Sequence, residues 1–314
     1  MTAEAPPPPS PTPPATPPKS QRLRIAVAFG ILAGVVVVYT LTLFLVHYLG
    51  KSGPRLPPLD LSQYHVDDTV VQVHIDDLKT VANRLSVNVQ VWPKDSLIDK
   101  QFGVLTTDTA VRLYPNNDLG DLQYAKGKAP AQVATTIEAH GDPNNWPFDT
   151  YTTDEISGWV YTGVPYHDAV PAHMEVTGSL DGWDAGVTRV HAAADTENPN
   201  SLDDVIITLH RSKAPLIFDL GLCLVLVSLP ALALIVAIPM ALNLTSFLPP
   251  FSTWYAAMLF AIVPLRNFFP GSPPPGSWVD QAVVLWVLIA LVVAMCLFVV
   301  AWVRQRDRKP PKTS

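Results

Sequence analysis

The sequence predicts a membrane protein of the α+β class, with four transmembrane helices, one N-terminal and three C-terminal, and an extracytoplasmic all-β, sandwich-like domain. Three observations carry that prediction. Four long apolar blocks interrupt the chain, the region between the first two alternates apolar and polar residues with period two, and basic residues gather at both ends. Composition points the same way: 48% of the 314 residues are hydrophobic and only 15% charged, against about 25% charged in a soluble domain. A plain cytosolic domain is excluded. So is a nucleic-acid partner, because a net charge of −6 with no long Lys/Arg run offers no phosphate footprint.

Residues 1–24 open the chain with a proline-rich segment, PPPPSPTPPATPP, which cannot build a core and is expected to be a disordered cytoplasmic tail of polyproline II character. Residues 25–49 form the first apolar block, 25 residues without a formal charge, enough to cross about 30 Å of hydrocarbon. Its core is longer than the 7–15 residues of a signal-peptide h-region and no small-residue cleavage site closes it, so an uncleaved signal anchor is expected.

Residues 50–214 are expected to form the extracytoplasmic domain. Residues 70–75 (VVQVHI) and 84–92 (RLSVNVQVW) alternate strictly, which means strands buried on one face. Further strands are expected at 103–105, 110–114, 132–140, 155–161, 172–180, 187–192 and 205–210, giving eight or nine with turn-rich punctuation between them. Asp181-Gly182-Trp183-Asp184 reads as a hairpin turn, since it lacks the alternating carboxylates of an EF-hand loop. The strand at 205–210 runs through Arg211-Ser212-Lys213 almost directly into the second apolar block, a stiff junction.

The remaining blocks, 216–242, 248–269 and 281–303, are expected to form a three-helix transmembrane bundle over 215–303, followed by a basic cytoplasmic tail, 304–314. Pro230 and Pro239 read as kinks within a span, and Trp286 and Trp302 lie near the ends of the last block, where indoles favour the headgroup layer. The third block is the weak one, with prolines at 249, 250 and 264 and Arg266 near its end. It reads as a short span or a re-entrant segment, and charge favours the span: Lys19, Arg22 and Arg24 precede the first span and five basic residues follow the last, so both termini are expected inside, which demands an even number of crossings. The expected location is a bacterial plasma membrane, with residues 50–214 outside.

No segment carries catalytic chemistry. The domain holds no cysteine, no Gly-x-Ser-x-Gly elbow and no glycine-rich phosphate loop. Tyr166-His167-Asp168 with His173 matches no metal signature, so no metal, cofactor or catalytic residue is expected. Cys223 and Cys296 both sit in apolar spans and read as small hydrophobic side chains.

Two segments stand apart. In NWPFDTY (145–151), Trp146, Pro147 and Phe148 are expected to plug an end of the β-domain, and Asp149 to accept backbone N–H groups of the turn. LRNFFPGSPPPGSWVD (265–280), with Pro270 and Gly271 at its turn, is expected to join the last two spans on the external face. Arg266 there runs against the charge bias and calls for a partner, either Asp280 or Asp219 at the external start of the second span.

One span, a β-domain containing NWPFDTY, then three spans with this late hairpin resembles the family catalogued as domain of unknown function 4436. The resemblance, over about residues 25–303, implies an actinobacterial inner-membrane protein and transfers no catalytic residue. The Pro147-Phe148-Asp149 turn of a sandwich tied directly to helices is also similar to pentameric ligand-gated channels, although here an extra span precedes the sandwich, only three follow, and the third block lacks a polar stripe. Two functions are therefore expected. The first is a non-enzymatic binding or assembly protein, anchored in the lipid bilayer, that meets an envelope protein, lipid or glycan. The alternative is a ligand-sensing channel or transporter component. Oligomeric state is left open by the sequence.

Overall fold

The computed structural model describes residue 30, residues 33–34, 37–45, 47–48, 56–163, 168–190, 204–246, 251–271 and 273–306. The chain divides into two units, residues 1–48 and 49–314. The described residues of the first unit are helical, with the Thr42 hydroxyl donating to the Val38 carbonyl at 2.8 Å. The expected proline-rich tail lies outside the described residues.

The second unit begins with a β-rich domain of fourteen strands: β1 (Thr69–Lys79), β2 (Arg84–Trp92), β3 (Ile98–Asp99), β4 (Val104–Leu105), β5 (Thr109–Tyr114), β6 (Leu122–Tyr124), β7 (Val133–Glu138), β8 (His140–Gly141), β9 (Thr150–Thr152), β10 (Ser157–Thr162), β11 (Asp168–Val170), β12 (Ala172–Gly178), β13 (Trp183–Val190) and β14 (Asp204–Arg211). They form three four-stranded sheets, β12-β1-β2-β7, β11-β10-β5-β6 and β13-β14-β9-β8, and a small β3-β4 pair. The period-two reading holds where it was strongest: along β2, Leu85, Val87, Val89 and Val91 are buried and their neighbours half-buried. All three large sheets feed one core, with Val73 and Val89 from the first, Val111 and Val160 from the second, and Tyr151 and Ile207 from the third.

The first of these sheets is mixed: β1 pairs in parallel with β12, a partner about a hundred residues away, and antiparallel with β2. Two expectations are corrected. Among the described residues the strands number fourteen rather than eight or nine, because segments of two or three residues carry no readable period. Asp181-Gly182-Trp183-Asp184 is not a hairpin turn, since β12 pairs with β1 whereas β13 pairs with β14, so this segment carries the chain from one sheet to another. Gly178 (φ 111°) and Gly182 (φ 83°) supply the left-handed backbone that this crossing needs.

After β14 the chain turns within one residue into α1 (Lys213–Ala241), then α2 (Phe251–Asn267), and a π-helical turn, Asp280–Val284, that continues into α3 (Leu285–Arg306). Among the described residues, two helical segments, Pro215–Ala241 and Asp280–Arg306, are long and apolar enough to cross a membrane. At 1.5 Å per residue the 17 residues of α2 span about 25 Å. Small side chains let the helices approach: Ala233, Ala237 and Ala241 on α1, and Ala294 and Ala301 on α3, are all buried. The α1 carbonyls of Met240 and Ala241 accept from Gln305 and Arg304 at 3.1 and 3.2 Å, closing the helix end with a cation where the dipole favours one. Large apolar residues such as Leu224, Ile235 and Val299 point outward.

Candidate functional site

The two segments that the sequence sets apart meet each other. Residues 143–148 turn tightly: the Asp142 carboxylate accepts from the Asn144 amide at 2.9 Å, and the Phe148 amide donates to the Asn145 carbonyl at 2.8 Å. This turn splits the aromatic run three ways. Tyr151 is buried in the β-core, Phe148 is exposed, and Trp146, fully buried, belongs to the helical core together with Leu226, Ile262 and Val279. The expectation that these aromatics plug an end of the β-domain is thus corrected, because Trp146 leaves its own domain. Its indole meets Phe269 of the hairpin edge-on at 5.2 Å, and Phe148 meets Trp278 in the same manner at 5.9 Å.

Asp149 is also corrected. Its buried carboxylate receives Arg211, the last residue of β14, through Nε at 2.5 Å and Nη2 at 3.2 Å. A guanidinium fits that job because its planar fork matches both carboxylate oxygens. The pair is almost wholly desolvated, the two side chains being 7% and 1% exposed. Arg211 lies over the Trp183 ring at 4.6 Å and the Trp146 ring at 5.7 Å, where cation–π attraction adds to the ion pair. Burial, and then the neighbouring Asp149 charge, push the Tyr151 phenol above its usual range.

The same arginine touches the hairpin. Gly271 has φ 74°, and a Cβ built on it would stand 2.6 Å from Arg211 Nη1. Pro270 precedes this close approach and Phe269, before it, is buried. The hairpin is itself closed by Arg266, which donates to both oxygens of Asp280 at 3.0 and 2.8 Å and to the Pro273 carbonyl at 2.9 Å. Asp280 also accepts the Gly276 amide at 3.0 Å. Of the two partners expected for Arg266, Asp280 is the one found. Asp219, on α1, is buried and within the field of Arg211, and its Oδ1 has no hydrogen-bond partner among the described residues.

Arg211 was missed by sequence reading, which treated it as part of a short junction. A signal was present, for a cation stands at the end of an apolar strand and immediately before an apolar helix, where an unpaired charge is costly. Of the histidine group, His173 packs against Tyr64 at 5.0 Å and Asp168 opens β11, while Tyr166 and His167 lie outside the described residues.

Residues 60–209 match the model of a family described as Domain of unknown function (DUF4436), and residues 211–305 match another, Domain of unknown function (DUF8686). The β-domain is thus matched by the model of the uncharacterised family that its motifs resemble, while the helical segment is matched by a separate model. Among curated proteins none matches this chain. The Arg211–Asp149 pair joins the two matched segments, one partner lying in each.

Proposed function

We propose that this is a non-enzymatic cell-envelope protein in which a four-span membrane bundle holds an acidic, sandwich-like β-domain outside the plasma membrane for a binding or assembly partner. One observation carries the reading: the buried Arg211–Asp149 pair, flanked by Trp146 and Trp183 and abutting Gly271, ties the β-domain to the helical hairpin at several points. A domain so fixed offers its surface at a set angle to the membrane rather than on a tether. That surface is strongly acidic, with 23 Asp and Glu against 12 Lys and Arg over residues 50–214. Such a surface favours basic or cation-bridged envelope proteins, lipids or glycans.

The same node favours one other reading, a ligand-sensing channel or transporter component, because a shift of β14 would be felt at once in α1 and in the hairpin. Purification of the full chain from its native membrane in mild detergent separates the two. A monomer or hetero-complex whose partner is released by high salt or by chelation is the expected result. A closed homo-oligomer that passes ions when reconstituted would move the assignment to transport, and a partner insensitive to both salt and divalent cations would remove the acidic-surface argument.

A further inference from the structure

We propose that the β-domain dips its 145–149 loop into the lipid headgroup layer, so that Phe148 of that loop, with Trp278 and Phe268 of the hairpin, forms one lipid-facing aromatic rim. The inference rests on the membrane reading above and adds to it a lipid-contacting element on the β-domain itself.

Phe148, Phe268 and Trp278 are 53%, 67% and 47% exposed. Exposed apolar side chains elsewhere on the domain, such as Val81 and Leu119, are of the kind any surface carries. The aromatic group differs in two respects. Phe148 and Trp278 come from segments 130 residues apart and still hold an edge-to-face contact at 5.9 Å, each keeping half its surface bare. The group also adjoins a membrane-crossing segment along the chain: Trp278 stands two residues before Asp280, where the last segment begins, and Leu285 and Trp286 within that segment are exposed as well.

Chemistry selects the occupant. Phe268 and Trp278 each stand two residues from one member of the Arg266–Asp280 pair, so charged and apolar side chains alternate along this part of the hairpin. Phospholipid at the boundary between headgroup and acyl chain offers that same mixture, and aromatic rings concentrate there. The loop that carries Phe148 is also held from behind. Trp146 is locked in the helical core and Asp149 on Arg211, so Phe148 is fixed toward the outside from both sides.

The test uses the full chain with Cys223→Ala and Cys296→Ala, carrying one cysteine at Phe148→Cys, Phe268→Cys or Val81→Cys labelled with an environment-sensitive fluorophore. The protein is reconstituted into phosphatidylcholine and phosphatidylglycerol vesicles. Probes at 148 and 268 are expected to lose at least about twofold more intensity than the probe at 81 to a shallow nitroxide lipid, as suits a depth of about 5–10 Å. They are also expected to resist aqueous iodide. Iodide quenching at 148 equal to that at 81, with no nitroxide effect, overturns the proposal. Protection from both quenchers overturns it too, since a protein surface then covers the rim. A fourth probe, at Val292→Cys, reports on the membrane reading itself: without quenching by a mid-chain nitroxide that reading fails and the proposal with it, whereas quenching at 292 but not at 148 removes the rim alone.

Discussion

Arg211 concentrates the energetics of the junction in one side chain. Its guanidinium faces one carboxylate directly, two indoles on its flanks and a glycine at its tip. Removing one member of a buried ion pair leaves the other charge desolvated and unpaired, which costs about 3–5 kcal/mol, whereas exposed pairs contribute about 0–1 kcal/mol. Asp149→Ala is therefore expected to lower the melting temperature in detergent far more than Asp118→Ala, which breaks the half-exposed pair with Arg84 at 3.0 Å. The double variant Asp149→Ala/Arg211→Met should be more stable than Asp149→Ala alone, because the stranded charge goes with its partner. Equal melting temperatures for the single and double variants would show that Arg211 finds another counter-charge. This residue was hidden in the sequence because its meaning depends on a contact 62 positions away. Arg266 was legible, since its partner lies in the same short hairpin.

At the scale of elements, the hairpin between α2 and α3 acts as a shelf on which β14 and the 145–149 loop rest. Two of its glycines separate backbone conformation from contact. Gly276 has φ 85° and open space where a Cβ would go, so Gly276→Ala carries only the left-handed penalty of about 1–2 kcal/mol. Gly271 has a similar φ, but its Cβ would meet Arg211, and the guanidinium cannot retreat while Asp149 holds it. Gly271→Ala should accordingly destabilise more than Gly276→Ala, and the excess should vanish in an Arg211→Met background. Thermal melts of the four variants check this, and an excess that survives Arg211→Met would mean that Gly271 matters for some other neighbour. Long elements were readable from sequence for the same reason that they are stable. The alternation in β2 and the apolar runs of α1 and α3 each repeat a burial pattern over many residues. The short strand β9 owes its place to β14, a neighbour distant in sequence, and the parallel β1–β12 pairing is likewise long-range.

The whole molecule is organised by charge. Residues 1–49 carry a formal +2 and residues 304–314 a formal +4, whereas residues 50–214 carry −11. A bilayer sorts such a chain, retaining basic flanks in the cytoplasm and tolerating acidic domains outside. The two segments long enough to cross, Pro215–Ala241 and Asp280–Arg306, must be linked so that Arg304 and Arg306 end on the basic side. With the β-domain outside, as proposed, the first of them runs inward. If α2 returned the chain outward, the last would again run inward and leave the basic tail in the cytoplasm; if α2 failed to cross, the tail would be outside. The 17 residues of α2 reach about 25 Å, and the half-buried Arg266–Asp280 pair at its far end removes the cost of a lone charge at that edge. This is the ground for the four crossings proposed above, with the block at residues 25–49 taken as the first. A Ser314→Cys variant lacking Cys223 and Cys296 is then expected to resist an impermeant maleimide in intact cells and to react after lysis, while Val81→Cys reacts in intact cells. Labelling of both before lysis would place α2 on one side of the membrane and reduce the count to three.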